Sequence, residues 1–235
     1  MSVFKFKTFD VEQNDCAQKV GTDAMVLGAH IEANSPKNIL DVGTGTGVIA
    51  LMLAQKFPKA TVCGVEISDS CSRTANGNFI RSPFSDRMKL FNVDFKNFEP
   101  NQLFDLIVSN PPFFKNSTYS PSQERTNSRH ETTLTLDKLI FKAKKLMSIN
   151  ATFWLIVPQD RYEEVETIAK QRELKLSERI EVCGVKGKVV RNILVFKKVS
   201  DMLKVETSTF TIRNEDGSYT NQYKAKTKEF HFNTL

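Results

Sequence analysis

No stretch of this 235-residue chain approaches the roughly 20 consecutive apolar residues that a membrane-crossing helix needs. The opening ten residues alternate Phe with Lys and lack the apolar core of a secretory signal. Four cysteines, Cys16, Cys63, Cys71 and Cys183, form no Cys-x-x-Cys pair and no metal-type spacing. That pattern argues against a bound metal and reads as reduced thiols in a cytoplasmic protein. Internal repeats, low-complexity tracts and a clear linker are also missing. The chain therefore reads as one domain over residues 1–235, with an N-terminal arm (about 1–20) and a C-terminal strand extension (about 200–235). Charge is the one property in surplus: a formal +6 and a pI near 9.1 lean toward a polyanionic partner such as RNA or DNA.

What the chain does contain is organised around Asp105 to Phe114, Asp-Leu-Ile-Val-Ser-Asn-Pro-Pro-Phe-Phe. Leu106, Ile107 and Val108 have the pattern of a strand buried on both faces of a parallel sheet. Pro111 and Pro112 lack an N–H and fix φ, so the strand ends, and Asn110 is held beside stiff backbone at its C-terminal edge. Ligands bind at that edge in open α/β sheets. Such a corner suits methyl transfer to an exocyclic amine. The Asn110 side-chain oxygen and the Pro111 carbonyl would accept the two N–H bonds of an adenine N6, and Phe113 would stack on the base, worth roughly 1–3 kcal/mol. A rigid loop opener is the plainer reading of the same residues.

Upstream, Asn38 to Val42 reads as a strand running into Gly43-Thr-Gly45-Thr-Gly47 and a helix over 48–57, a nucleotide-type loop. The dinucleotide fingerprint is absent: the third glycine falls one place early, and Val48 stands where Gly or Ala is wanted. Thr61 to Val65 forms the second strand. It ends at Glu66, about 20 residues beyond the loop, the offset of an acid that binds ribose hydroxyls. A third strand over 88–93 ends at Asp94, and a fourth over 104–109 returns to the Asn-Pro-Pro-Phe corner. Thr22 or Asp23 caps a helix over 24–33, whose exposed N–H groups would equally meet a ligand carboxylate.

Residues 114–133 are polar and carry Arg125, Arg129 and His130. This reads as a lid that orders on substrate, with its arginines on phosphate, or as a solvated loop. Leu136 to Met147 has helical spacing with lysines outward. Residues 151–157 read as a fifth strand, and Asp160-x-x-Glu163 as a capping box. A hairpin over 174–199 turns at Lys186 and Lys188, which with Arg191 make an RNA patch or protect a sheet edge. One more strand pair, over 203–217, is followed by a basic tail (Lys224, Lys226, Lys228).

Asp41-Val-Gly-Thr-Gly-Thr-Gly47 resembles the S-adenosylmethionine loop of class I methyltransferases. Together with Phe9-Asp-Val, Cys16-Ala-x-Lys-Val-Gly-Thr-Asp-Ala24, Ser109-Asn-Pro-Pro-Phe113 and Arg129-His-Glu…Thr133-Leu, it makes nearly the whole chain similar to the bacterial tRNA1(Val) (adenine-37-N6)-methyltransferases. The resemblance implies a Rossmann-like α/β fold: a mostly parallel seven-stranded sheet, helices on both faces, the last strand antiparallel. It also implies the anticodon stem-loop of tRNA as partner, and the chain is expected to act as a monomer. Cofactor contacts would fall to Thr22, Asp41, Gly43, Gly45, Gly47, Glu66, Ile67, Asp94, Phe95 and Asn110, with Asp94-Phe95 at the adenine. Asn110, Pro111, Pro112 and Phe113 would hold the target base, although many relatives have Tyr at the Phe113 position. RNA contacts would fall to Arg125, Arg129, His130, Lys186, Lys188 and Arg191. Enzymes that methylate guanine N2 of ribosomal RNA or a protein glutamine share the corner motif and stay open as alternatives, as does a non-catalytic cofactor-binding protein on RNA.

Overall fold

Leu106, Ile107 and Val108 are fully buried, as branched apolar residues must be in a strand covered on both faces. They lie in β6 (Phe104–Ser109), near the middle of the sheet. The computed structural model describes residues 2–14, 16, 19–112, 134–198 and 204–231. In chain order these form β1 (Val3–Lys5), β2 (Asp10–Glu12), α1 (Thr22–His30), β3 (Asn38–Val42), α2 (Val48–Lys56), β4 (Thr61–Glu66), α3 (Asp69–Arg81), β5 (Met88–Asn92) and β6. After the corner come α4 (Leu136–Leu146), β7 (Met147–Pro158), α5 (Tyr162–Gln171), β8 (Lys175–Val185), β9 (Val189–Lys197), β10 (Glu206–Arg213) and α6 (Asn221–Thr227).

The main sheet has the order β5-β4-β3-β6-β7-β9-β8-β10, eight strands among the described residues. β9 alone runs antiparallel, against both β7 and β8. The Rossmann-like class is as expected, and the seventh strand of this sheet in chain order, β9, is the antiparallel one; the count differs by one strand. β10 is an added edge strand, parallel to β8, and the antiparallel strand is the one inserted between β7 and β8. The C-terminal segment differs too. Among the described residues a single strand replaces the expected pair, with isolated bridges from Arg213 to Tyr219 and from His231 to Phe6, and the basic tail opens in α6, capped by the Thr220 hydroxyl.

Alternation along each strand splits the core in two. Ile39, Val62, Leu106, Val108 and Ile156 face α1, α2 and the N-terminal segment, where Phe6, Phe9 and Val11 are buried. Leu40, Val65, Ile107, Leu155 and Phe196 face α4 and α5. Chain winding reverses between β3 and β6, which pair in parallel register (Val42 beside Ser109). The crevice at the carboxyl ends of those two strands is the switch point at which open α/β sheets bind ligands.

Three local expectations fail. Gly21, not Thr22 or Asp23, is the N-cap of α1, and no side chain caps it; the Asp23 carboxylate instead pairs with Arg191 at 2.8 Å. Asp160 and Glu163 form no capping box, because a 3-10 turn over Gln159–Arg161 shifts the N-cap of α5 to Arg161. Cys16 and Cys71 are joined as a disulfide, while Cys63 and Cys183 are free and buried. The chain holds that pair 55 residues apart in sequence, a proximity that spacing rules cannot detect.

Candidate active site

β3 delivers Asp41 to the crevice and hands over to the glycine loop. Gly43, Gly45 and Gly47 adopt φ of +70°, +57° and +83°, a region that L side chains enter only with strain. At Gly47 space forbids a side chain as well, since a Cβ would lie 2.5 Å from the Phe79 ring. The loop is stapled to the end of β4. Gly43 N and Thr44 N donate to Val65 O at 2.9 and 3.1 Å, and Glu66 accepts Gly45 N at 2.9 Å and Ser68 N at 2.8 Å on its two carboxylate oxygens. Glu66 therefore shapes the loop through two backbone bonds, a role its spacing did not reveal.

Asp41 is fully buried. One carboxylate oxygen accepts the Thr44 hydroxyl at 2.6 Å and Ala50 N at 3.2 Å, whereas Oδ1 has no partner among the described residues. Burial pushes its carboxyl up to about 7, against the lowering effect of those two bonds. One strand over, Ser109 Oγ donates to Val42 O at 2.9 Å, which fixes β6 against β3 where Asn110 leaves it. Asn110 is buried too, and its Oδ1 likewise has no partner among the described residues. A buried acceptor without a donor costs about 1–3 kcal/mol. Two of them on adjacent strand ends mark a place built for donors brought by a ligand. Pro111 is buried beside Asn110, and Pro112 is exposed. Phe113, Arg125, Arg129 and His130, with the expected lid, lie outside the described residues.

The remaining site residues are distributed around this rim. Thr22 opens α1 as its first helical residue. Ile67 follows Glu66 and is more than half exposed, an apolar surface at the mouth of the loop. Asp94 caps a short 3-10 turn, bonding Lys96 N at 2.9 Å and pairing with its ammonium at 3.1 Å. The Phe95 ring is buried against Phe98 in the α4 side of the core and offers no free face. Lys186 and Lys188 are exposed at the β8–β9 turn, on the same edge of the sheet as Asn110. Arg191 is half-buried and ion-paired with Asp23, which fastens β9 to α1.

Sequence reasoning missed Asn78. From the middle of α3 its amide donates to Glu12 O and Thr46 O, both at 2.9 Å, and its oxygen accepts Glu12 N at 2.9 Å. It thus ties the N-terminal hairpin to the glycine loop. A poor helix former in mid-helix was the only signal.

A model of the methyltransferase small domain family matches residues 15–176, and the fold agrees with solved methyltransferases. A predicted O-methyltransferase from Agrobacterium tumefaciens superposes with a TM-score of 0.68 at 18% identity, covering 88% of this chain and 96% of that one. An O-methyltransferase of Brevibacillus brevis, solved with S-adenosyl-L-homocysteine, gives 0.54 at 15% identity over 77% and 73%. The glycine loop, the acidic strand ends and the Asn-Pro-Pro corner thus sit in a Rossmann-like methyltransferase, and the chain belongs to the methyltransferase small domain family. Within that class a Porphyromonas gingivalis protein named tRNA1(Val) (adenine(37)-N6)-methyltransferase is 41% identical over 97% of this chain and 94% of its own length. The chain is a member of the tRNA1(Val) (adenine(37)-N6)-methyltransferase family.

Proposed function

We propose that this protein methylates the N6 amino group of adenine 37 in tRNA1(Val), as its relatives' name states, with S-adenosylmethionine as donor. The observation that carries the reading is Asn110 Oδ1, without a partner among the described residues and buried at the switch point one strand from the glycine loop. The residues suit the cofactor: Asp41 Oδ1 awaits a donor such as an ammonium, Glu66 ends β4 where ribose hydroxyls are bound in this class of fold, and Ile67 offers an apolar face. When bound, the cofactor supplies a methyl group on a sulfonium. Asn110 Oδ1 and the Pro111 carbonyl accept the N–H bonds of the target amine, favour a tetrahedral nitrogen and aim its lone pair. Phe113 stacks on the base. Target adenine must leave its stack to reach this corner, at a cost of a few kcal/mol that is smaller in a loop than in a duplex. Soluble tRNA as substrate implies work in the cytoplasm. The deciding experiment incubates purified protein and labelled cofactor with total tRNA, ribosomal RNA and protein, followed by nucleoside and peptide mass spectrometry. N6-methyladenosine in tRNA is expected; label in N2-methylguanosine or methylglutamine overturns the reading.

Proton linkage at Asp41 gives a second expectation. Its carboxyl is raised by burial to about 7 in the free protein, so at pH 6 it is mostly protonated, and a cation arriving at Oδ1 ionises it. Cofactor affinity should rise with pH from 5 to 7 and level off above, with a proton released on binding at pH 6. Calorimetry in buffers of different ionisation enthalpy measures that proton directly. Stability has the opposite slope: a carboxyl raised above its unfolded value stabilises fully at low pH, and that contribution fades as pH rises through about 7.

Exposed Lys186 and Lys188 lie on the edge that presents Asn110, and we assign them to the tRNA backbone. Replacing both with Ala should weaken binding of every RNA to a similar degree. It should also reduce the slope of log K against log salt by about one to two units, as read by fluorescence anisotropy from 50 to 200 mM salt.

A further inference from the structure

Beside the Asn110 corner, over the carboxyl end of β7 and the start of β9, lies a cavity of about 520 Å³, room enough for a nucleotide. Gln159, Asp160, Tyr162 and Glu163 line it with Arg191 and its neighbouring valines. β7 pairs with β6 (Leu155 beside Ser109), so Gln159 stands one strand across and a few residues beyond Asn110, roughly 10 Å away. That is the reach of the next nucleotide in a splayed strand and too far for the target base itself.

One side chain in this cavity has a fixed chemical orientation. Arg179 Nε donates to Asn192 Oδ1 at 2.9 Å. A guanidinium can only donate, so Asn192 must turn its oxygen to Arg179 and its amide nitrogen the other way. Asn192 is fully buried, and that nitrogen donates to Gln159 Oε1 at 2.7 Å. Gln159 must therefore present its own NH₂ away from Asn192. The chain is anchored at its start: Arg179 pairs with Glu181 at 2.9 Å and covers the Tyr162 ring at 3.8 Å. A buried relay from an obligate donor to a rim amide fixes which of the two amide ends faces a ligand. Asp160 and Glu163 add acceptors beside that donor, and their charge disfavours phosphate.

We propose that Gln159 is a specificity-determining residue that reads the base edge of a nucleotide flanking the target adenine, with Asn192 as its positioning residue. The inference rests on the tRNA methylation reading. Gln159 donates to an acceptor on the base, and a neighbouring carboxylate accepts from an exocyclic amine or ring N–H. Gln159→Glu keeps the bond from Asn192 but replaces the donor in the cavity with an acceptor. Asn192→Asp still accepts from Arg179 yet has no proton to give, so the Gln159 amide turns over and offers its oxygen. Both variants should change base preference in the same direction, although Asn192 is buried beneath the rim.

The test measures kcat/KM for anticodon stem-loop RNAs carrying each of the four bases at the positions immediately 5′ and 3′ of the target. Wild type is expected to discriminate about tenfold or more at one of these positions. Gln159→Glu and Asn192→Asp are expected to reorder that preference alike, with cofactor affinity within twofold of wild type. Should Asn192→Asp fold poorly, Gln159→Glu and Gln159→Ala carry the test alone. Equal rates for all four bases in wild type, or an unaltered ranking in Gln159→Glu, overturn the proposal and leave the methylation reading standing. Absence of N6-methyladenosine in the parent stem-loop removes both.

Discussion

Asn110→Ala is expected to reduce kcat at least 10²–10³-fold while S-adenosylhomocysteine still binds within a few-fold of wild type. The magnitude is that of losing one positioned hydrogen-bond group whose partner changes charge during the reaction. An aromatic amine is a poor nucleophile until its nitrogen becomes tetrahedral. An acceptor fixed at Asn110 gains strength as positive charge develops on the N–H bonds, so its loss falls on kcat more than on KM. Stability should move the other way. Asn110 Oδ1 is buried without a donor, and removing an unsatisfied acceptor relieves part of a penalty of about 1–3 kcal/mol. The variant should therefore melt at or above the wild-type temperature. A protein that loses turnover and gains stability has had a functional group removed; one that loses both has had a structural group removed. Unchanged kcat would take Asn110 out of the mechanism.

The contrast between Asn110 and Asn78 explains how much of the site could be read in advance. Asn110 is flanked by an apolar strand and two prolines, and each neighbour restricts local backbone, so its position at a strand edge follows from adjacent residues alone. The glycine loop was legible for the same reason: tight turns and positive φ are properties of consecutive residues, as Gly43, Gly45 and Gly47 bear out. Asn78 gains its meaning from Glu12 and Thr46, residues brought together only by the fold. The Asn192–Gln159 relay joins the turn after β7 to β9 across 33 residues and Arg191 to Asp23 spans 168, and neither pair has a local signature. Failures of strand reckoning have a similar origin. Where β9 inserts between β7 and β8 is decided by sheet pairing, and so is the addition of β10 in parallel to the outer edge of β8. Capping was misjudged at Asp23 and Asp160 because both residues are good caps in isolation, but an ion pair claims the first and a 3-10 turn contains the second.

Reducing the Cys16–Cys71 bond is expected to lower the melting temperature by roughly 8–16 °C. The bond closes 55 residues; in the chain-entropy account a loop of that length restrains the unfolded state by about 4 kcal/mol, and each kcal/mol shifts a domain of this size by roughly 2–4 °C. Its location extends the consequence to the cofactor site. Cys71 lies in the first turn of α3, after Glu66 and Ser68, and the Cys16 sulfur lies 3.9 Å from where a Cβ on Gly45 would stand. Reduction thus frees the segment leading into α1 from the helix that supports the glycine loop, and cofactor affinity should fall with the melting temperature. Disulfides are rare where thiols are kept reduced, which is why composition pointed to four free thiols. Titration under denaturing conditions decides the matter: two thiols are expected before reduction, from Cys63 and Cys183, and four after. Cys71→Ser in the absence of reductant should reproduce the reduced protein's melting temperature. Four thiols in protein purified without reductant, or a melting temperature that reductant leaves in place, would mean that the pair is a contact between thiols and that Asn78 and the Arg81–Glu12 ion pair brace the N-terminal segment against α3.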